Sequence, residues 1–500
     1  MRLASTLCMI LVVGVVRSLS AQNTVQKNVV LIIADDYTAD QGTQPLLQTP
    51  HIDRLRQKGM SFSSAHASSP LCNPSRTSAF TGIAPWQSRI YTNSAEFRDS
   101  DTFGMAVTLP QFFKNNGYVS IGTGKIFHRS TGKGSDPISW TVNATQVDVL
   151  YDSEENKQTP VEGTGGSLPA YVEQVALSWG QIDKTREEMD DWGNMQPAIS
   201  FLRDQTAGDS AFFLACGIVR PHLPHYYPKE YAGLYGAITL PAYKEPDTGK
   251  KDTWDTGSKG NAALDSMLSL PDGMQQWAQA VQSYMRAAAF ADDCVGSLLD
   301  AVEALPEAVR QNTLVIFMGD HGYHLGQKSS WAKVGNVPDQ LPWEQTTHTP
   351  LVIYDPAMTS SHGKTYAGPV SLQDIYPTVL DLCGFSEEAI PDNDPTSAVK
   401  IWGTSLLPVL QYPGNTHHTY ALTTLAAGVV SLRTAEWRYI KMPGKRQKEL
   451  YYHGGDTGIA KPDPEEYYNL LHASRVTPMY RAVATKLDRM IVGIKQGKKP

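Results

Sequence analysis

Three short stretches of this 500-residue chain hold side chains whose types and spacing suit chemistry. Residues 72–76 read Cys-Asn-Pro-Ser-Arg. Proline fixes φ and has no backbone donor, so it suits the first position of a helix, where that donor has no partner in any case. Cys72 then lies just before a helix N-terminus, whose partial positive charge favours an anion, and Arg76 adds a full charge one turn on. A thiol in such a field is a nucleophile or the precursor of one. The second stretch is Asp35-Asp36, directly after an apolar run. Adjacent carboxylates repel each other, and a divalent cation is the simplest physical reason to keep them together. The third is Asp320-His321, within Gly-Asp-His-Gly and again directly after an apolar run. It reads as a second cluster of ligands, an acid and an imidazole.

A sheet must carry these groups. Residues 27–34 form a continuous, β-branched apolar run, the pattern of a central parallel strand covered on both faces. Further strands are predicted over 118–122, 211–217, 312–318 and 349–354, and helices over 49–55, 109–116, 283–305 and 372–382. In open α/β sheets the site lies beyond the carboxyl ends of the strands, which is where Asp35, Asp36, Asp320 and His321 fall. Asp292 and Asp293, inside the 283–305 helix, read as structural. Residues 129–195 and 244–259 read as loops, the first over the active face. Residues 405–410 close the large unit. After Tyr412-Pro413-Gly414 the pattern changes to short strands over 420–424, 429–433, 437–442 and 449–452, then a helix over 478–495. The predicted architecture is α/β: a large mixed, mostly parallel sheet sandwiched by helices over residues 22–411, and a smaller α+β domain over 412–500.

A hydrophobic content of 41% with 19% charged residues is that of an ordinary soluble globular protein. The net charge of −7 gives no general attraction to nucleic acid or to an acidic membrane. A polyanionic substrate would therefore need a local basic pocket. Residues 1–21 carry Arg2, an apolar run over 7–16 and small residues at the end, the pattern of a secretory signal peptide. The run is too short to stay in a membrane as a span, and no later stretch is long enough. The expectation is export to a periplasm or outside the cell, without membrane insertion. Cys8 precedes most of the apolar run, badly placed for lipid attachment. Cys216, Cys294 and Cys383 allow at most one disulfide, and buried free thiols are expected. Asn143-Ala144-Thr145 is a glycosylation sequon that matters only in a glycosylating host.

The stretch Cys72-Asn73-Pro74-Ser75-Arg76, followed by Thr81-Gly82, resembles the signature of the sulfatase family within the alkaline phosphatase superfamily. The resemblance continues in order along nearly the whole mature chain. It includes residues 49–55, Gly124-Lys125 with His128, residues 219–231 with Arg220-Pro221-His222, residues 292–299, Asp320-His321-Gly322 and Ser330-Trp331-Ala332-Lys333. Two residues stand between Lys125 and His128. That spacing and the 219–231 stretch are similar to the iduronate 2-sulfatase branch. Asn73 is bulkier than the family's usual residue after the cysteine, Ala79 replaces a larger apolar residue, and Tyr323 stands where the branch has tryptophan.

The resemblance implies that a maturation enzyme converts Cys72 to formylglycine, whose hydrate is the nucleophile. It implies a metal site of Asp35, Asp36, Cys72, Asp320 and His321, with calcium ahead of magnesium on an oxygen-rich set. Arg76, Lys125, Lys333 and His222 would form an electrostatic cage around a sulfate ester. His128 would be the base that frees sulfate from the enzyme, and His222 or Lys333 the acid for the departing alcohol. His225 is either a substrate contact or packing, and Tyr323 and Trp331 are further candidate substrate contacts. The activity so implied is an exported sulfatase acting on a sulfated oligosaccharide or polysaccharide, with a 2-O-sulfated uronic acid among the candidates. Three other readings use much of the same residue set: a phosphate- or phosphonate-ester hydrolase, a silent glycan-binding relative, and a transferase moving sulfate between alcohols.

Overall fold

The computed structural model describes residues 26–39, 47–101, 103–128, 135–141, 153–172, 175–240, 264, 266–333, 341–385, 400–417, 419–442, 448–455 and 461–497. The expected signal peptide, the Asn143 sequon and the 244–259 loop lie outside the described residues.

Asn28–Ala34 is the central strand, and all seven of its residues are buried. It pairs in parallel with Phe212–Ile218 on one side and Thr313–Gly319 on the other. Beyond these, Val119–Gly124 pairs in parallel with 212–218, and Leu351–Tyr354 runs antiparallel to 313–319. Met60–Phe62 and Lys364–Tyr366 complete a seven-stranded mixed sheet. The register decides what the sheet presents. Ala34 is opposite both Ile218 and Gly319, so Asp35, Val219 and Asp320 leave the sheet at one level.

Successive strand residues point to opposite faces, and the two apolar cores follow that alternation. Val30, Ile32 and Ala34 pack on one side with Ile52, Met195, Trp277 and Tyr284. Val29, Leu31 and Ile33 pack on the other with Phe80, Phe112, Ile375 and Val379. Helices Pro50–Lys58, Asp190–Arg203 and Gly273–Glu303 thus cover one face. Cys72–Thr81, Leu109–Asn115 and Ile375–Leu382 cover the other. The long helix starts ten residues before the predicted one. Trp277, Ala280, Val281 and Tyr284 carry its buried stripe back through a Gln-rich turn.

The described part of 129–195 is not all loop, and this corrects the expectation. Gly166–Val172 and Val175–Gln181 form an antiparallel pair that His225–Tyr227 joins in parallel, and the helix Asp190–Arg203 follows.

The C-terminal part is a four-stranded antiparallel sheet, Tyr420–Thr424, Val430–Thr434, Trp437–Lys441 and Lys448–Tyr452 in sequential order. The helix Pro478–Lys495 lays Ala484, Leu487, Ile491 and Ile494 on Leu422, Leu432, Tyr439 and Leu450. The whole is an α/β fold with a large, mostly parallel mixed sheet and a small antiparallel C-terminal one. Cys72, Cys216 and Cys294 are buried free thiols, and Cys383 is free but only partly buried. No helix among the described residues is long and apolar enough to cross a membrane.

Candidate active site

The site forms where three parallel strands end and one buried helix begins. Each end strand's ladder runs one residue further: Asp35 N–H donates to Ile218 O (3.0 Å) and Asp320 N–H to Ala34 O (3.0 Å). Asp36 then turns into the left-handed region (φ 55°) and its N–H donates to Asp320 Oδ1 at 3.0 Å. Tyr284, from the long helix, fixes that turn. Its hydroxyl donates to Asp36 O (2.7 Å) and accepts from Thr38 N–H (2.9 Å).

The helix that carries the thiol starts at Cys72 itself, two residues earlier than expected, and all ten of its residues are buried. Asn73, the unusual residue after the cysteine, has a physical reason here. Its amide donates to Thr92 O (2.9 Å) and Ala95 O (2.7 Å), while its backbone N–H donates to Asn93 Oδ1 (3.1 Å). Asn93 thereby takes up one of the unpaired donors of the first helical turn. Ser75 Oγ donates to Asp320 O at 2.5 Å and joins the helix to the strand end.

Cys72 Sγ lies 3.3 Å from Asp35 Oδ1, 3.0 Å from Lys333 Nζ and 3.7 Å from Lys125 Nζ. Lys125 Nζ also pairs with Asp35 Oδ2, and Lys333 Nζ lies 3.0 Å from Asp36 Oδ1. Arg76, 1% exposed, donates from Nε to Asp320 Oδ2 (2.8 Å) and from Nη1 to the carbonyls of Lys125 and Ile126. Arg76 therefore holds the other groups in place from below. His321 lies 3.4 Å from Asp36 Oδ1 and 3.7 Å from Asp320 Oδ2. His222 Nε2 approaches Asp36 Oδ2 at 3.7 Å, and its Nδ1–H donates to Leu223 O at 2.7 Å, which leaves Nε2 as the nitrogen facing the site. His128 is buried three residues beyond Lys125. The two residues between them, Ile126 and Phe127, are sunk in the apolar core, so they anchor this segment.

Three carboxylates thus face three cations, and the balance appears in their titration. Burial alone would raise the Asp35 carboxyl, but Lys125, His222, Arg76 and Lys333 hold it well below the usual range. Burial lifts Asp36 to about 7, against the pull of Lys333. Burial would lower His321, but Asp320, Cys72 and Asp36 raise it to about 9. Burial and the charge of Lys333 push His222 well down, to the neutral form.

Donor atoms of Asp35, Asp36, Cys72 and His321 lie within 4.8 Å of one another. Asp320 borders this group through Arg76 and His321. Asp36 Oδ2 and His321 Nε2 are buried without a hydrogen-bond partner. Orphaned buried donors and acceptors are costly, and coordination would satisfy both. The residues therefore fit an oxygen-preferring divalent cation.

The expected sugar contacts Tyr323 and Trp331 need correction, and of the two readings of His225 the structure favours packing. His225, Tyr323 and Trp331 are at most 2% exposed. Their rings pack edge-on, with His225 5.6 Å from Tyr323, 5.7 Å from Trp331 and 5.4 Å from Tyr284. They form one buried ring cluster with Tyr284, and His225 Nδ1–H donates to Pro221 O at 2.8 Å.

Three important residues have no role in the sequence reading. Asp191 accepts the N–H groups of Val219 (2.9 Å) and Arg220 (2.8 Å). Buried Arg220 pairs with buried Glu155, and its Nη1 donates to His222 O at 3.2 Å. Together Asp191, Arg220 and Glu155 fasten the loop that carries His222. Asp292, read as structural, accepts the N–H groups of His51 (2.9 Å) and Ile52 (2.8 Å) and so caps the 50–58 helix.

Comparison with known proteins points in one direction. The family profile described as Sulfatase matches residues 27–385. Human iduronate 2-sulfatase is 27% identical, over 90% of this chain and 92% of that protein. The phosphonate monoester hydrolase of Agrobacterium radiobacter has a similar structure, with a TM-score of 0.68 and 19% identity over 95% of this chain and 96% of that one. A structure solved with its substrate D-glucosamine-2-N,6-O-disulfate has a TM-score of 0.65 and 18% identity, over 95% of this chain and 99% of that one. At such identities the structural likeness speaks to the fold alone.

Proposed function

The chain belongs to the sulfatase family, and from that premise we propose that it is an exported hydrolase of sulfate esters on a sulfated sugar or polysaccharide fragment. The observation that carries this reading is the convergence of Lys125, Lys333 and Asp35 on Cys72 Sγ, beside four metal-donor residues. When present, the formylglycine hydrate at position 72 supplies an oxygen nucleophile, and calcium on Asp35, Asp36, Asp320 and His321 supplies a Lewis acid for the sulfate oxygens.

The chain's own residues do the rest. Lys125 and Lys333 reach the reacting position and hold the non-bridging oxygens, on which charge builds during transfer. Arg76 keeps Asp35 and Asp320 in place. His222 turns Nε2 to the site and is neutral before substrate enters. It takes up a proton there when the anionic ester arrives, since a nearby anion favours the charged imidazole, and passes that proton to the departing alcohol. His128 takes a proton when sulfate is freed from the enzyme. The region 1–21 supports export, and a formylglycine-generating enzyme is the partner required for maturation.

The likeness to human iduronate 2-sulfatase makes a 2-O-sulfated uronic acid the first substrate to test. The experiment is product analysis of the matured protein on a panel of sulfated oligosaccharides, beside paired aryl sulfate, phosphate and phosphonate esters. Sulfate release from a defined ring position is the expected result. Faster cleavage of the phosphonate or phosphate member would replace the reading with an ester hydrolase of the same superfamily. Binding of the oligosaccharides without turnover, with formylglycine confirmed by mass spectrometry, would make the chain a glycan-binding relative.

A further inference from the structure

The stretch between His321 and Lys333 leaves the large sheet and returns to it, and the C-terminal part grips its far end. Lys328 stands there, 4% exposed and in the left-handed backbone region (φ 55°). Its ammonium donates to Glu466 O and lies 4.6 Å from the ring centre of Tyr467, 5.1 Å from Trp343 and 5.5 Å from Tyr451. Tyr451 and Tyr467 belong to the C-terminal part, and Trp343 is tied to it because its indole N–H donates to Glu449 Oε2 at 2.8 Å.

Burying an ammonium costs free energy, and so does a left-handed conformation at a residue other than glycine. Three ring faces around the charge return part of that cost. What the arrangement achieves is a fixed loop tip. From the tip the return is stiff. Ser330 N–H donates to Gln327 O (3.0 Å), Gly326 N–H to Ser330 O (2.9 Å) and His324 N–H to Ala332 O (3.0 Å). Lys333, whose Nζ lies 3.0 Å from Cys72 Sγ, is the residue after that last bond. The C-terminal sheet also holds the other side of the site. Thr424 N–H donates to Ser68 O (2.9 Å) and Thr423 Oγ1 to Ala67 O (2.6 Å), just before the Cys72 helix.

We propose that Lys328 is a positioning residue: locked in the Trp343–Tyr451–Tyr467 cage, it sets where Lys333 stands over position 72, and through it the C-terminal part shapes the sulfate site. The inference rests on the reading of Lys333 as a sulfate ligand. Lys328 itself is buried away from the substrate and acts only through the loop.

A plain fastening role would give stability without touching sulfate binding, and a double-mutant cycle separates the two. Matured wild type, Lys328→Met, Lys333→Ala and the double variant are compared for turnover of an activated aryl sulfate and for inhibition by inorganic sulfate. Lys328→Met is expected to lower kcat/KM at least tenfold and to weaken sulfate inhibition by a similar factor. Both losses should disappear when Lys333 is already alanine, and Lys328→Arg should restore most of each. Losses that multiply in the double variant, or sulfate inhibition that Lys328→Met leaves unchanged, would overturn the proposal. Should Lys328→Met fail to fold, Tyr467→Leu opens the cage from the C-terminal side and enters the same cycle. If Lys333→Ala alone changes neither quantity, the reading of Lys333 fails. If Lys333→Ala is impaired and Lys328→Met is not, only the positioning role fails.

Discussion

Around Cys72 each buried charge depends on another: Asp35, Asp36 and Asp320 are matched by Arg76, Lys125 and Lys333. Removing one carboxylate deletes a metal donor and strands a cation. Asp35→Asn is therefore expected to lose turnover and bound calcium together. The check is metal analysis alongside thermal melting, since a bound ion at about a hundred times its Kd adds about 2.7 kcal/mol to stability. Wild type should melt higher with calcium, and the variant should not respond. Activity that survives exhaustive chelation would remove calcium from the reading. His225 offers a second test. Burial holds its imidazole at about 3, whereas the unfolded chain titrates near 6.5. The folded value is the lower one, so its contribution is complete above about pH 6.5 and is lost as pH falls toward 3, by about 1.4 kcal/mol per unit. His225→Phe should gain that much on wild type per unit below about pH 6.5, with a constant difference above, as read from denaturant midpoints. A difference that stays constant throughout would place the acid sensitivity elsewhere. Cys72, Asp35, Asp36, Asp320 and His321 were legible because they stand at a helix start or a strand end, positions that a linear pattern marks. Tyr323 and Trp331 misled because residue type does not say which way a loop side chain turns, and the two readings of His225 stayed open for want of the same information.

The segment that bears His222 shows how elements remote in sequence aim one side chain. Asp191 opens a helix and holds two backbone donors of the loop, and Arg220 is joined to Glu155, sixty-five positions away. Arg220→Met would leave buried Glu155 with only Lys184 at 3.9 Å and the Asp190 N–H, a loss of up to about 3–5 kcal/mol, measurable by equilibrium unfolding. Asp191→Ala should act through His222 and leave the same kinetic mark as His222→Ala. A poor leaving group needs its proton more than a good one. Turnover of a natural sugar sulfate should then fall much further than turnover of an activated aryl sulfate in both variants. Equal losses on the two substrates would move the acid role to Lys333. These supports were hidden because the elements that hold them were read as loop. Gly180, at φ 135°, lies where a Cβ would meet Pro160 at 2.8 Å and Gly165 at 2.9 Å, so the strand needs the very residue that weakens its sequence signal. The central strands had no such ambiguity: 28–34, 212–218 and 313–319 are buried throughout and, apart from Asn28 and Thr313, carry no polar side chain, because both faces are covered.

Over the whole molecule, the large sheet and the C-terminal sheet meet in a junction that neither could bury alone. Leu341 and Trp343 pack with Leu425, Val429, Ile440, Met442 and Tyr451. Beside them Glu344 pairs with Arg438 and, at 3.3 Å, with Arg433, while Arg438 reaches Glu466 at 2.5 Å. Little of this could be read in advance. Each element brings one or two charged residues that look like ordinary surface until the 341–344 segment is set against the C-terminal sheet. The consequence is cooperative unfolding. Parting the sheets exposes the apolar cluster and also releases the Lys328 tip and the Ala67–Ser68 contacts, so the Cys72 site should not survive separation. Calorimetry of the wild type is expected to show one transition, and calcium, whose proposed site lies in the large part, should move all of it. Trp343→Ala removes the largest side chain of the junction, at a cost of about 3–5 kcal/mol for a buried tryptophan. With the link weakened, the transition should split, and only the component of the large sheet should still respond to calcium. Two transitions already present in the wild type, one of them insensitive to calcium, would mean that the sheets unfold independently and that the junction merely holds them side by side.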